Sequence, residues 1–420
     1  MKLRVFHLFL ITFLAILSPV FAQNLSRNFS SLPAVTNAKI DSMVQNCIGR
    51  KVIPGCQILA IHRGEVVYHK NFGYQYYDTL FPVNDETMYD VASMTKSLAT
   101  TLAVMKLYDD HLLRLTDKVG DYLEFSKGTP VADLTLAELM THTSGLAPFI
   151  PFYREISPQG VWDTAAMSRV PDDIFRVQAA DSVFLHKDFP LEVLKKIANY
   201  PLRTKKYVYS DLGFVLMKEI VEKVTGQTMD GFLMTNFYEP LGLQRTGFNP
   251  LGWTSADNIA PTENDKYFRK QVLRGYVHDQ TAAVFGGVCG NAGLFSTAHE
   301  VSVILQMLMA EGTWNGHQYL TAKTVNQFVT MCPMHGCQRR GLGFDTPSFT
   351  QPNAVLPAMS GNRTFGHQGF TGTVFWCDPQ NDFVYIFLSN RVYPNADDNL
   401  LSKSKLRLLV HEEILKAVLK

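Results

Sequence analysis

Strand-forming and helix-forming signals are segregated along this chain, and that segregation limits the folds open to it. Near the start, "CQILAIHRGEVVYHKNFG" joins two β-rich runs, containing Ile58, Val66, Val67 and Tyr68, across the turn pair Arg63-Gly64, which predicts a hairpin. Near the other end, "GTVFWCDPQNDFVYIFLSN" joins two more across Asp378 to Asp382. Between them, from about Leu102 to Gln280, helical periodicity and loops dominate and strand signals are few. A first helix is expected from Leu32 to Arg50, with Ile40, Met43, Val44, Cys47 and Ile48 on its apolar face and Pro54-Gly55 beyond its end. A closing amphipathic helix is expected from about Asp397 to Lys420, striped by Leu406, Leu409, Val410, Ile414 and Val418. An alternating βαβ chain would spread its strands evenly. This one predicts α+β: an antiparallel sheet built from both chain ends, flanked by helices, with a mainly helical domain inserted. The expected division is a discontinuous sheet domain, residues 33–100 and 281–420, around a helical domain of residues 101–280.

The extreme N-terminus stands outside that scheme. Lys2 and Arg4 precede an apolar run, then Pro19 and the small-residue pattern Val20-Phe21-Ala22, which reads as a secretory signal peptide over residues 1–22, cleaved near Ala22. An uncleaved anchor would want a longer run without the proline. No later stretch reaches the roughly 18 unbroken apolar residues of a membrane span, so the mature protein is expected to be exported, to the periplasm or the medium, without a span. Lys and Arg number 39 against 38 Asp and Glu, so no net field attracts nucleic acid, and a small molecule or a peptide is the expected partner. Export permits disulfides, and six cysteines are present: Cys47, Cys56, Cys289, Cys332, Cys337 and Cys377. Cys332 and Cys337 are close enough to pair, and the others are expected as buried thiols. With His335 between them the pair also suggests zinc, but no second ligand pair stands at finger spacing, and neither metal nor cofactor is expected.

Chemistry enters at "DVASMTKSLAT". A serine hydroxyl is a poor nucleophile unless a base lies within hydrogen-bond reach and donors await the oxyanion that forms. If a helix runs from Met94 to about Tyr108, Ser93 and Lys96 share one of its faces, with the hydroxyl at the positive end of the macrodipole. By itself the spacing is cheap: Ser402 and Lys405 repeat it, and a serine cap followed by a solvated lysine would look the same. Two further stretches follow in chain order. "KKYVYSDLGFVLMKEIVEKVTG" sets Tyr209-Ser210-Asp211 before a helix that runs to Gly226, and "FGHQGFTGTVFW" sets His367-Gln368-Gly369 before a strand. Competing matches, such as Tyr393-Pro394-Asn395 and His62-Arg63-Gly64, fail on order or context.

Together these three elements resemble the serine β-lactamases and penicillin-binding-protein-like hydrolases, in particular the class C β-lactamase branch with its DD-carboxypeptidase, D-aminopeptidase and esterase relatives. "LTLAELMTHTSGL" and "GNAGLFSTAHEVSVILQMLMAEGTW" are similar to stretches of the same branch, so the likeness extends over nearly the whole mature chain. The resemblance implies that Ser93 is a nucleophile forming an acyl-enzyme, that Lys96 is its proton-transfer partner, and that Tyr209 shuttles a proton to the leaving group. It also implies an oxyanion hole made by the backbone N–H groups of Ser93 and Phe370, with substrate contacts from Asp211, His367, Gln368 and Gly369. His142 and Ser144 in "THTSGL" are expected to be structural.

Two departures from the family pattern bear on mechanism and specificity. Asp211 stands where the family usually has asparagine; a carboxylate near Lys96 would favour its ammonium, making it a worse base, and would leave proton abstraction to a Tyr209 phenol depressed by nearby positive charge. His367 stands where the lactamases have lysine, so a substrate carboxylate meets less field. The expectation is therefore an exported serine hydrolase of a D-amino-acid peptide, another small amide, or an ester, with β-lactamase action less favoured. A penicillin- or peptidoglycan-binding protein without turnover is the reading from another class.

Overall fold

The computed structural model describes residues 28–330, 340–347 and 355–420. The expected signal peptide and the Cys332, His335 and Cys337 group lie outside them. A six-stranded antiparallel sheet organises the molecule. Its strands are β1 (Phe29–Ser30), β2 (Gly55–His62), β3 (Glu65–Gly73), β4 (Phe365–Gln368), β5 (Val374–Asp378) and β6 (Phe383–Ser389), in the spatial order β1-β3-β2-β6-β5-β4. The two ends of the chain meet at the β2–β6 pair, which is in register from Cys56 against Ser389 to His62 against Phe383. Both predicted hairpins form, the first turning at Arg63-Gly64, where both residues have positive φ.

Period-two alternation sends neighbouring residues of each strand to opposite faces. On the back face Ile58, Ala60, Val374, Trp376, Tyr385 and Phe387 pack against α1 (Ala34–Gly49) and the closing helix α5 (Leu406–Val418). On the front face Leu59, Ile61, Phe375, Val384 and Ile386 join a much larger core shared with α2 (Leu102–Asp109), α3 (Leu212–Thr225) and α4 (Ala298–Met309). α3 is apolar nearly all round, with Leu212, Phe214, Val215, Leu216, Met217, Ile220 and Val221 buried, and it ends at Gly226 with φ 67°. A helix of that composition must be enclosed by others, and it lies at the centre of the helical part.

Three local expectations are corrected. The middle of the chain contains a small three-stranded antiparallel sheet, in which Val183–His186 lies between Met167–Ser168 and Phe175–Ala180, the hairpin of the last two turning at Ser182 with φ 49°. The closing helix is broken: Leu400–Ser404 is separated from α5 by Lys405 in the left-handed region, and Leu409 faces solvent while Leu406, Val410 and Ile414 are buried. His367 and Gln368 precede the expected strand, β5, but also lie within a short edge strand of their own, β4, which Gly366 lets close onto β5; a Cβ there would sit 2.2 Å from the Phe375 carbonyl oxygen.

Candidate active site

The site lies on the front face, where the helical part meets the β4–β5 edge of the sheet. Ser93 follows Ala92, a non-glycine residue at φ 47° whose N–H donates to Asp90 Oδ1. This tight, strained turn places Ser93 at the head of a π-helical segment, Lys96–Thr101, that continues into α2. Wide π turns recur at functional sites, and here all six residues of the segment are buried, Lys96 among them.

Lys96 is the hub. Its Nζ donates to Ser93 Oγ at 3.1 Å, to Asp211 Oδ1 at 2.6 Å and to the Asn291 carbonyl oxygen at 2.9 Å. It also lies 5.1 Å from the centroid of the Tyr209 ring. The structure therefore brings Ser93, Lys96, Tyr209 and Asp211 into one cluster from segments more than a hundred residues apart in sequence. Burial alone would push Lys96 toward the neutral amine, but Asp211 and Tyr209 outweigh it and hold the ammonium above lysine's usual pKa. For Tyr209 burial is the largest influence and raises the phenol; Lys96 and Arg340 pull it down without prevailing. The expected depression of Tyr209 is thus overturned, because full burial costs a phenolate more than two neighbouring cations return.

Beyond Lys96, Tyr209 is flanked by His142 and Arg340. The His142 ring lies 4.4 Å from it, tilted at 34°, with Nδ1 accepting from the Ser210 N–H, so His142 is a packing and backbone anchor, while Ser144 caps Leu146 rather than meeting the histidine. Arg340 presents its guanidinium 5.1 Å from the Tyr209 centroid. That guanidinium is itself fixed by Asp345 at 2.8 Å and by the Tyr207 hydroxyl, which accepts from Nε and Nη2 at 3.2 and 3.0 Å. Asp345 in turn exchanges backbone hydrogen bonds with Gly366, one residue before His367.

His367 points into the site with its Nδ1 hydrogen donated to the Gln368 carbonyl oxygen, 2.8 Å away, which leaves Nε2 a buried acceptor without a partner among the described residues. Burial, reinforced by Arg340 and Lys96, lowers its pKa to about 4, so the imidazole is neutral at physiological pH. Gln368 is not brought to the site: alternation turns its side chain to the back face, where Oε1 accepts from Arg407 at 3.1 Å. Gly369 is wedged where a Cβ would lie 2.0 Å from Thr373 Oγ1 and 2.4 Å from the Val91 carbonyl oxygen. The turn that follows is strapped onto the strand before Ser93: Thr371 and Thr373 donate to the carbonyls of Asp90 and Val91 at 2.7 and 3.0 Å. That strap carries Phe370, whose ring lies between Arg391 and His278 and whose carbonyl accepts from Arg391. Neither the Ser93 nor the Phe370 N–H has an acceptor among the described residues.

Sequence reasoning missed Arg340, Asn291, Thr371 and Thr373. Asn291 and the two threonines sat in stretches already singled out, but nothing in their spacing showed that a carbonyl or a hydroxyl would matter; Arg340 had no signal at all. Among the described residues no group of three or more His, Cys, Asp or Glu is placed to hold a metal ion, and no helix is long and apolar enough to cross a membrane. Cys47, Cys56, Cys289 and Cys377 are buried free thiols.

A family model described as "Beta-lactamase" matches residues 40–409. A Salmonella gallinarum protein named "Putative D-alanyl-D-alanine carboxypeptidase" is 30% identical over 379 residues, 84% of this chain and 82% of the relative. Among solved structures, a penicillin-binding protein homologue from Caulobacter crescentus superposes with a TM-score of 0.65 at 17% identity, over 93% of this chain and 100% of the other. EstCE1, a hydrolase with promiscuous acyltransferase activity, does so with a TM-score of 0.64 at 19% identity, over 89% and 98%.

Proposed function

The chain belongs to the beta-lactamase family, a family of hydrolases, and from that premise we propose that it is an exported serine hydrolase cleaving a small amide or ester through an acyl-enzyme, with a D-amino-acid peptide as the favoured substrate. The observation that carries the proposal is the buried Lys96 ammonium, 3.1 Å from Ser93 Oγ and in the same cluster as Tyr209. A lysine with no exposed surface and three acceptors, the serine among them, is not a solvated charge beside a helix cap.

In this reading Ser93 Oγ attacks the substrate carbonyl while the free N–H groups of Ser93 and Phe370 receive the oxyanion, each such donor worth about 3 kcal/mol in hydrolases of this kind. Tyr209, neutral because burial raises its pKa, gives its proton to the leaving group. Water then takes the place of the leaving group and the steps reverse. Gly369 and Asp211 border the pocket, and Gln368 supports it from behind. His367 presents a neutral acceptor and no fixed charge, which disfavours binding of a β-lactam carboxylate there. The name of the Salmonella relative agrees with a peptide substrate, and the leader-like N-terminus with a periplasmic or extracellular setting. The sheet domain (33–100 and 281–420) and the helical domain (101–280) would then meet at the pocket.

Labelling with a fluorophosphonate or a fluorescent penicillin, in the wild type and Ser93→Ala, tests the nucleophile: one label per wild-type chain and none on the variant. Equal labelling of both would end the reading. D-Ala-D-Ala peptides, p-nitrophenyl esters and a chromogenic cephalosporin then rank substrates. A burst of one equivalent with no further turnover would identify a binder instead.

A further inference from the structure

Lys96 has three N–H bonds, and the structure uses all of them. An ammonium placed this way has no lone pair with which to take the serine proton. Tyr209 is no ready substitute, since burial keeps its own proton in place. Of the acceptors around Lys96, the Asn291 carbonyl takes no proton at neutral pH. Asp211 can, and its Oδ1 is 2.6 Å from Nζ. A carboxylate here does what an amide in the same position cannot.

We propose that Asp211 is the terminal acceptor of the serine proton during acylation. Lys96 hands one proton to Asp211 Oδ1, turns about its Cε–Nζ bond, and takes the proton of Ser93 as Oγ bonds to the substrate carbonyl carbon. Lys96 is an ammonium before and after; negative charge leaves Asp211 and appears on the oxyanion. When the tetrahedral intermediate collapses, the bond to the leaving group breaks, the leaving group takes the Tyr209 proton, and the proton on Asp211 returns through Lys96 to the phenolate. Charge and protons balance at each stage.

The surroundings of Asp211 suit this role. Its side chain is 19% exposed, and its backbone N–H is tied to the Pro148 carbonyl, so the carboxyl is held facing Lys96. The charged and titratable groups facing it are Lys96, Tyr209 and, through Asn291, Asp279, whose Oδ1 accepts from Asn291 Nδ2 at 3.0 Å. Burial and Asp279 raise its proton affinity against the pull of Lys96, and the net direction is upward.

The relay rests on the serine-hydrolase reading, and the test separates the two. For the full-length chain acting on a p-nitrophenyl ester, the acylation rate is measured across pH in water and in mixtures with heavy water. The wild type should show a curved proton inventory, two protons in flight, and Asp211→Asn a straight one with acylation slowed about 100-fold. Asp211→Glu should recover part of the rate and the curvature. Acylation by Asp211→Asn within about threefold of wild type, with an unmoved acidic limb, overturns the relay. If Ser93→Ala still turns over, the hydrolase reading has failed instead. Should Asp211→Asn not fold, Asp279→Asn is decisive: removing that negative charge lowers the proton affinity of Asp211, so the acidic limb must move to lower pH, and an unmoved limb overturns the proposal.

Discussion

The two faces of the sheet each carry a Ser-x-x-Lys and a buried histidine, and they put them to opposite uses. On the front, Lys96 has no exposed surface and ends on Ser93, Asp211 and Asn291; the His367 ring lies 6.2 Å from that of Tyr209 and its Nε2 has no partner among the described residues. On the back, Lys405 is exposed and sits at φ 54° in the break between two helices, so Ser402 and Lys405 share no helix face. His411 stacks against Tyr385 at 4.5 Å and Phe383 at 5.6 Å, with neither ring nitrogen partnered among the described residues. Residue spacing is the same on both faces. What separates them is whether partners distant in sequence converge on the lysine.

The largest effect expected from breaking this contrast is at Ser93. Ser93→Ala should lower steady-state hydrolysis of the best substrate at least about 1,000-fold, read as kcat, while circular dichroism stays unchanged. Next comes Arg340. Without that cation Tyr209 is a weaker acid, so Arg340→Met should slow amide hydrolysis about tenfold yet leave p-nitrophenyl ester turnover little changed, because p-nitrophenolate departs without a proton. Equal losses on both substrates would reduce Arg340 to a packing role.

On the back face the readout is stability. Burial lowers the folded pKa of His411 to about 3, below the roughly 6.5 of an unfolded histidine, so its neutral burial is tolerated above pH 6.5 and becomes increasingly unfavourable as pH falls toward 3. The urea midpoint should therefore drop between pH 7 and pH 5, and His411→Phe should lessen the drop, with His367 still contributing in the same direction. Smallest of all is Lys405→Gly. Relief of the left-handed backbone should raise stability by about 1 kcal/mol at most, seen as a small rise in Tm, with no change in kcat. A loss of activity there would erase the distinction between the two faces.

Much of this was legible from residue order. The hairpins at Arg63-Gly64 and Asp378 to Asp382 announced themselves by turn chemistry, the helix after Asp211 by its apolar content and closing glycine, and the Ser93, Lys96 and Tyr209 group by chain order. What stayed hidden depended on convergence in space. The side to which Gln368 points follows from strand register, which shifts with a single residue of β4. Arg340 matters through Asp345 and Tyr207, neither of which marks it in the sequence. The direction of the Tyr209 shift was missed because neighbouring charges could be inferred from the motifs and full burial could not.

The β2–β6 seam has a consequence for when this protein becomes active. Until residues near 389 have been synthesised and delivered, the early hairpin has no partner along β2, and the strand and turn bearing His367 and Phe370 do not yet exist. On the proposed reading Ser93, made some 270 residues earlier, would wait without the Phe370 N–H. The topology thus acts as a timer: the Ser93 cluster stays incomplete until the last quarter of the polypeptide has arrived.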